Sequence, residues 1–320
     1  MEATSTPQDN TDNSKNSDST DSTDSTDSSD SPEANSSSTV QAKAQPGVNS
    51  SPSVQAKAQP EAGTTSKKSW KMRLWRGDAS GGKFQEYESP IQEGEVLLDV
   101  VHAIQASQAN DIAVRWNCKA GKCGSCSAEI NGHPSLMCMT RMETFDPETP
   151  ITVAPMKTFP IIKDLVTDVS FNYEVAQRVP SLKIADPGPD GVRRMYQQDV
   201  DRIQEYRKCI ECFLCQDVCH VIRDHEDNKK YFAGPRFFLR YAEMSMHPLN
   251  TQDVRDIARS EGGIGFCNIT KCCTEVCPES IKITDNAIIP MKERVVDRHF
   301  DPIAWLGRKI TRKSYSQLPK

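Results

Sequence analysis

RKCIECFLCQDVCH, residues 207–220, decides how the second half of the chain must fold. Its thiols, Cys209, Cys212, Cys215 and Cys219, are separated by two, two and three residues. In that spacing the first three thiolates hold one iron–sulfur cube and the fourth reaches into a neighbouring cluster. A matching run must therefore lie downstream. Laid over GFCNITKCCTEVCP at 265–278 so that Cys219 falls on Cys277, the pattern puts Cys209 on Cys267 and Cys215 on Cys273, but Cys212 on Thr270. Cys277 then completes the set Cys209, Cys212 and Cys215, giving four thiolates and a [4Fe–4S] cluster. Cys219, Cys267 and Cys273 remain for the second set. A hydroxyl is a much poorer iron ligand than a soft thiolate, so with Thr270 in the fourth place a [3Fe–4S] cluster is expected. Cys272 is one residue out of register and is read as a free thiol near that cluster rather than as a ligand.

Working outward, the 320 residues contain no apolar run of about 18 or more, so no membrane span is expected. The net charge of −5 is unevenly placed: residues 1–68 hold ten Asp/Glu against five Lys, leaving 34 charges of each sign in the remainder. No basic surplus points to nucleic acid. Twelve cysteines would suit a disulfide scaffold in a secreted protein. The N-terminus has neither a basic head nor an apolar core, and it is too acidic for a transit peptide. A reducing compartment with thiols kept for metal is the better reading.

Residues 1–68 carry Ser/Thr/Asp triplets at 17–31 and a duplicated TVQAKAQP / SVQAKAQP at 39–46 and 53–60. With almost no large apolar side chains, this stretch is expected to be a disordered acidic tail. From Trp70 the pattern changes. KMRLWR at 71–76 and residues 84–91 alternate like two strands joined by a turn at 78–82, and Leu97, Leu98, Val101 and Ile104 have helical spacing. Cys118, Cys123 and Cys126, with gaps of four and two, and the distant Cys138 match the plant-type [2Fe–2S] spacing. Gly121 and Gly124 suit a loop wrapped tightly round a cluster, Asn131-Gly132 signals a hairpin, and 151–155 reads as a closing strand. Zinc is disfavoured, because its sites pair ligands as two short knuckles whereas three of these lie in one loop. Four prolines mark 157–195 as a connector, and 199–207, 237–246 and 253–260 read as helices among the cysteine runs.

The fold class expected is α+β: an N-terminal plant-type ferredoxin-like domain of the β-grasp kind and a C-terminal helical ferredoxin domain with two clusters. Its order is a tail at 1–68, the [2Fe–2S] domain at 69–157, a connector at 158–197, the helical domain at 198–304 and a basic tail at 305–320. Nothing in the chain makes or breaks carbon bonds: there is no glycine-rich dinucleotide loop, and the six histidines are scattered, with only His220 beside a ligand. Three clusters in series make a one-electron wire whose donor and acceptor lie on other chains.

RWNCKAGKCGSCSAEING at 115–132, LMCMTRM at 136–142, FPIIKDLVTDVS at 159–170, RKCIECFLCQDVC and CCTEVCPESIKIT at 272–284 together resemble the iron–sulfur subunit of succinate dehydrogenase and fumarate reductase, most of all its actinobacterial members. The resemblance covers about residues 70–303. It implies a peripheral subunit on the cytoplasmic face of a bacterial plasma membrane, between an FAD-containing flavoprotein and one or more membrane anchor subunits that handle quinone. Electrons from succinate would enter near Cys118–Cys138 and leave from the three-iron cluster, with His220, Asn268 and Thr270 near the quinone. Relatives that reduce ubiquinone carry Pro after the fourth cysteine of the first run, Trp soon after, and His after the first cysteine of the second. Here those places hold His220, 221–223 (VIR) and Asn268, which implies menaquinone or a further redox centre in the anchor. The rival readings are physiological fumarate reduction, and a free multi-cluster electron carrier without a dedicated partner.

Overall fold

The computed structural model describes residues 69–90 and 92–311; the expected tail at 1–68 and residues 312–320 of the expected basic tail lie outside them. β1 (Ser69–Asp78) and β2 (Gly81–Pro90) form an antiparallel hairpin in register from Ser69↔Pro90 to Asp78↔Gly81. Asp78 fixes the turn by accepting the Ser80 N–H at 2.8 Å, a local bond that short polar side chains make readily. Alternate residues of β1, Trp70, Met72 and Leu74, are buried, the period of a strand with one face on a core. α1 (Leu97–Ser107) supplies Leu97, Leu98, Val101 and Ile104 to the same core.

β3 (Ser127–Ile130) and β4 (His133–Leu136) are joined by Asn131-Gly132, both with positive φ (50° and 80°), as a two-residue hairpin turn requires. β5 (Ile151–Ala154) runs between them and the first hairpin, parallel to β1 at 72–74 and antiparallel to β3. It therefore joins the two hairpins and lies inside the sheet. The stretch read as a connector is partly structured: β6 (Ile161–Lys163), β7 (Val166–Thr167) and α2 (Ser170–Arg178) occupy it. The order is β4-β3-β5-β1-β6-β7, with β2 on β1. Asp164, in the β6–β7 turn and 2% exposed, accepts the N–H of Gly77 at 3.1 Å, that of Ala113 at 2.9 Å and Arg76 Nε at 3.0 Å. One buried carboxylate thus ties three segments.

The helical lobe comprises α3 (Gln197–Gln204), α4 (Leu214–Asp217), α5 (His220–Arg223), α6 (Pro235–Met246), α7 (Arg255–Ser260), α8 (Cys272–Glu275), α9 (Ile289–Phe300) and α10 (Pro302–Thr311). α6 is its axis. Pro235 opens it where no N–H is needed, and Phe237, Phe238, Leu239, Tyr241, Ala242 and Met244 are buried round most of its circumference, as in a helix enclosed by its neighbours. A π-helical turn (Ile283–Ile288) leads straight into α9. Pro290 there has no N–H for the carbonyl of Asn286, and the Tyr206 hydroxyl donates to that oxygen instead at 2.5 Å. α9 was not expected, and α10 takes in the start of the segment read as a tail. Among the described residues no helix is long and apolar enough to cross a membrane.

All four residues of β3 are buried, polar ones included. Alternation would expose Ser127 and Glu129. The helical lobe covers them: the Ser127 hydroxyl donates to the Cys212 carbonyl at 2.9 Å, and Glu129 Oε1 lies 2.7 Å from Arg223 Nη1. The described residues, 69–90 and 92–311, belong to one compact unit.

Candidate metal centres

The first set, Cys118, Cys123, Cys126 and Cys138, sits in the loop after α1 and at the ends of β3 and β4. Backbone N–H groups point at the sulfurs. Ala120 and Lys122 each donate to Cys118 Sγ at 3.3 Å, Gly121 to Cys138 Sγ at 3.2 Å, Cys118 to Cys123 Sγ and Cys138 to Cys126 Sγ at 3.5 Å. Lys119, Gly121 and Gly124 all have positive φ (55°, 67° and 67°), which turns the chain round a point. Burial pushes Cys123 up, but bonds from Ser125 and Cys118 outweigh it and bring the thiol down to about 7. Cys126 is pushed up to about 12 by burial. Such N–H donors favour thiolate and tune a metal held by it.

The second and third sets repeat one backbone path. Shifted by 58 residues (Cys209 onto Cys267), Glu211 and Phe213 fall on Ile269 and Lys271, and all four have positive φ (56°, 61°, 63° and 64°). Cys212 lies between the first pair and Thr270 between the second. Each path then enters a four-residue helix, α4 or α8, at the same offset. A left-handed residue with a side chain costs roughly 1–2 kcal/mol, so four of them in register mark a backbone held to a purpose.

The thiols sort into two groups by which ones oppose one another's ionisation. Cys212 is pushed up to about 12 by burial, with Cys209 and Cys277 adding. Cys215 is raised far by full burial and then by Cys212, Cys209, Cys273 and Cys277. Cys219 is pushed up to about 12 by burial, then by Cys272, Cys273 and Cys267. One group is thus 209, 212, 215 and 277, the other 219, 267, 272 and 273, and Cys215 borders on Cys273. All twelve cysteines are free thiols. Crowded, buried thiolates need cationic compensation, which bound iron supplies. Among the described residues no three His, Cys, Asp or Glu converge on a single-ion site, whereas a multi-iron core spreads its ligands over its corners. The donor sets fit iron–sulfur clusters.

The first and second sets touch. Gly124 packs on Cys212 so closely that a Cβ at Gly124 would lie 2.5 Å from the Cys212 Cα. The Ser127 hydroxyl bridges the Gly124 and Cys212 carbonyls at 2.8 and 2.9 Å. Lys122 Nζ meets Glu279 at 2.8 Å across the same border. With Cys215 beside Cys273, the three sets stand in the order first, second, third.

At the far end the structure brings His220 and Asn268 together, Asn268 Nδ2 donating to His220 Nε2 at 2.7 Å, while the Thr270 hydroxyl lies 3.3 Å from Cys272 Sγ. Asn268, Ile269 and Thr270 are exposed, as is Phe266. Sequence reasoning missed the groups that support this set: the Thr284 hydroxyl, 3.4 Å from Cys273 Sγ, and Lys292 Nζ, which donates to the Cys267 carbonyl at 2.5 Å. Both come from elements distant in sequence and leave no local signal.

Comparison with known proteins gives the following. Residues 71–174 match the family described as a 2Fe-2S iron-sulfur cluster binding domain, and 205–281 match a 4Fe-4S dicluster domain. The chain is 31% identical over 211 residues to the fumarate reductase iron-sulfur subunit of Mycobacterium tuberculosis, covering 63% of this chain and 82% of that protein. It is 28% identical over 219 residues to the succinate dehydrogenase iron-sulfur subunit of Bacillus subtilis, covering 62% and 81%. A solved chain of the Mycobacterium smegmatis Sdh1 complex in the apo form superposes with TM-score 0.72 at 64% identity, covering 73% of this chain and 98% of that one.

Proposed function

The chain belongs to the iron–sulfur subunits of the succinate dehydrogenase and fumarate reductase family, and from that premise we propose which residues hold its redox groups and what stands at either end of the path. It is an electron-transfer subunit. Its [2Fe–2S], [4Fe–4S] and [3Fe–4S] clusters supply one-electron chemistry, splitting a two-electron oxidation at a flavin into single steps toward a quinone.

Cys118, Cys123, Cys126 and Cys138 would hold the [2Fe–2S] cluster, Cys209, Cys212, Cys215 and Cys277 the [4Fe–4S] cluster, and Cys219, Cys267 and Cys273 the [3Fe–4S] cluster. The N–H groups of Ala120, Gly121 and Lys122 point at the sulfurs of Cys118 and Cys138 and hold them in place. Gly124 admits the Cys212 backbone, which keeps the first two sets in contact. Burial of Cys212, Cys215, Cys219 and Cys273 excludes water from the middle of the path. The single observation that carries this reading is the paired left-handed turn, wrapped once round Cys212 and again round Thr270, in register with the thiols.

The physiological direction is succinate oxidation, with an FAD-containing flavoprotein at the Cys118–Cys138 end and a membrane anchor at the Asn268–Thr270 end, on the cytoplasmic face of the membrane. Exposed Phe266 and Ile269 beside the third set, and Ile303, Trp305 and Leu306 on α10, suit an apolar partner. Menaquinone is the acceptor, because His220 and Asn268 stand where ubiquinone-reducing relatives carry other residues; extraction of ubiquinone alone from the purified complex would refute this. The M. tuberculosis relative is named a fumarate reductase, which keeps the reverse direction as the second reading. Electron paramagnetic resonance on the anaerobically purified complex tests the assignment. We expect an axial [2Fe–2S] signal on reduction, a three-iron signal in the oxidised state, and about nine irons per chain. Zinc in place of iron, or far fewer irons, would overturn it.

A further inference from the structure

The third set contains one thiol more than a [3Fe–4S] cluster uses. Thr270 stands, by the repeated backbone path, where Cys212 stands in the second set, and so marks the corner left without a thiolate. Cys272 Sγ lies 3.3 Å from the Thr270 hydroxyl. Adjacent residues of a helix point about 100° apart, so Cys272 does not share the direction of Cys273; its sulfur lies at the open corner instead. In the second set the equivalent position is Leu214, 1% exposed in the core beneath the sheet. Cys272 is only partly buried and Thr270 is exposed, so this corner opens to solvent.

We propose that Cys272 is a conditional fourth thiolate of the third centre, which takes a ferrous ion into the corner beside Thr270 when iron and a one-electron reductant are both present. The proposal rests on the [3Fe–4S] reading of Cys219, Cys267 and Cys273. A low-potential reductant such as dithionite first delivers one electron, taking the core from [Fe3S4]+ to [Fe3S4]0. Fe2+ then enters, the Cys272 thiol gives its proton to water, and an Fe–S bond forms between them; [Fe3S4]0 plus Fe2+ is [Fe4S4]2+, with no further electron exchanged. In reverse, a one-electron oxidant such as ferricyanide takes an electron, Fe2+ leaves, and Cys272 regains a proton. Cluster type is one of the things that set potential, so iron supply would change the last station of the path.

The test uses the purified complex under anaerobic conditions. Its oxidised three-iron signal is recorded first, then dithionite and 57Fe2+ are added, excess iron is removed, and bound 57Fe is counted and examined by Mössbauer spectroscopy. The wild type should gain about one 57Fe per chain in a four-iron environment and recover its three-iron signal with ferricyanide. Cys272→Ser should show the same initial three-iron signal but bind less than about a tenth of that iron, since a hydroxyl is a poor iron ligand. Equal uptake by Cys272→Ser, or no uptake by the wild type, overturns the proposal. The double variant Thr270→Cys/Cys272→Ser places a thiol at the register position. If it holds a fourth iron while the wild type takes none, Cys272 does not reach the corner. A wild type without any initial three-iron signal would instead sink the underlying cluster assignment.

Discussion

Gly124 has φ of 67° and no room for a side chain, because the Cys212 backbone occupies the place where a Cβ would go. Gly124→Ala therefore combines the strain of a left-handed residue with a clash against main chain that cannot rotate away. Together these cost at least about 2 kcal/mol. The lobes should part slightly at this point. We expect the visible iron–sulfur absorbance to be lost at a lower temperature, and the magnetic interaction between the first two clusters to weaken in relaxation measurements. A variant with the wild-type melting profile and unchanged relaxation would mean that the Gly124–Cys212 contact is not what sets the spacing. Ser127→Ala probes the same border more gently. It removes one hydroxyl bridge and should cost about 1 kcal/mol.

At the scale of elements, Asp164 shows how a two-residue turn can fasten a sheet. Asp164→Ala would strand the Gly77 and Ala113 N–H groups and take from Arg76 its buried carboxylate, leaving it the Tyr87 hydroxyl and the exposed Asp111, a loss of about 3 kcal/mol. The thermal midpoint of the [2Fe–2S] absorbance should fall, with less effect on the other two clusters. α1 provides a pH-dependent counterpart. His102 packs edge-on to Trp116 at 4.8 Å between ring centroids, and its Nε2 is buried without a hydrogen-bond partner. Burial first, and then the Lys119 charge, hold its pKa below the ordinary 6.5. A base depressed in the fold contributes stability that is present above 6.5 and lost as pH falls below it. The first cluster should therefore melt slightly earlier at pH 5.5 than at pH 8, and His102→Gln should flatten that slope; an unchanged slope would assign it elsewhere. β1, α1 and the Asn131-Gly132 hairpin were legible because alternation, helical spacing and turn chemistry are local signals. β6 and β7 are three and two residues long, too short to show a period, and α2 buries only Asn172 and Val175, so the stretch read as a connector hid them. α9 was obscured by Pro290, which a π-helical turn absorbs. Ligand runs are legible for the opposite reason, since a cluster fixes its thiols by spacing along the chain.

Across the whole molecule, what sequence could not reveal is that the sheet and the helices meet through buried charge. Alternation would put Ser127 and Glu129 on the solvent side of a strand, yet Ser127 bonds the Cys212 carbonyl of the second set and Glu129 meets Arg223 of the helical lobe. Arg223 is the hinge pin of that border. Its Nη1 is 2.7 Å from Glu129 Oε1, 3.8 Å from Asp217 Oδ2, and donates to the Asp217 carbonyl at 3.1 Å. Asp217 is fully buried, and burial pushes its carboxyl up to about 7 even with the Thr158 N–H bonded to it and Arg223 beside it. Removing the cation while keeping the bulk, as in Arg223→Met, would leave two carboxyls enclosed without a counter-charge and cost about 3 kcal/mol or more. Arg223→Lys should recover only part of this, because an ammonium is more strongly hydrated than a guanidinium and costs more to bury at this border. Adding Glu129→Gln to Arg223→Met should relieve much of the penalty, since one stranded charge is gone. A double-mutant cycle read from the melting of all three clusters decides the matter. Strong coupling, with the three clusters lost together, is expected if this border makes one cooperative body of the two lobes; near-zero coupling would mean that contact of Gly124 with Cys212 joins them without help from charge.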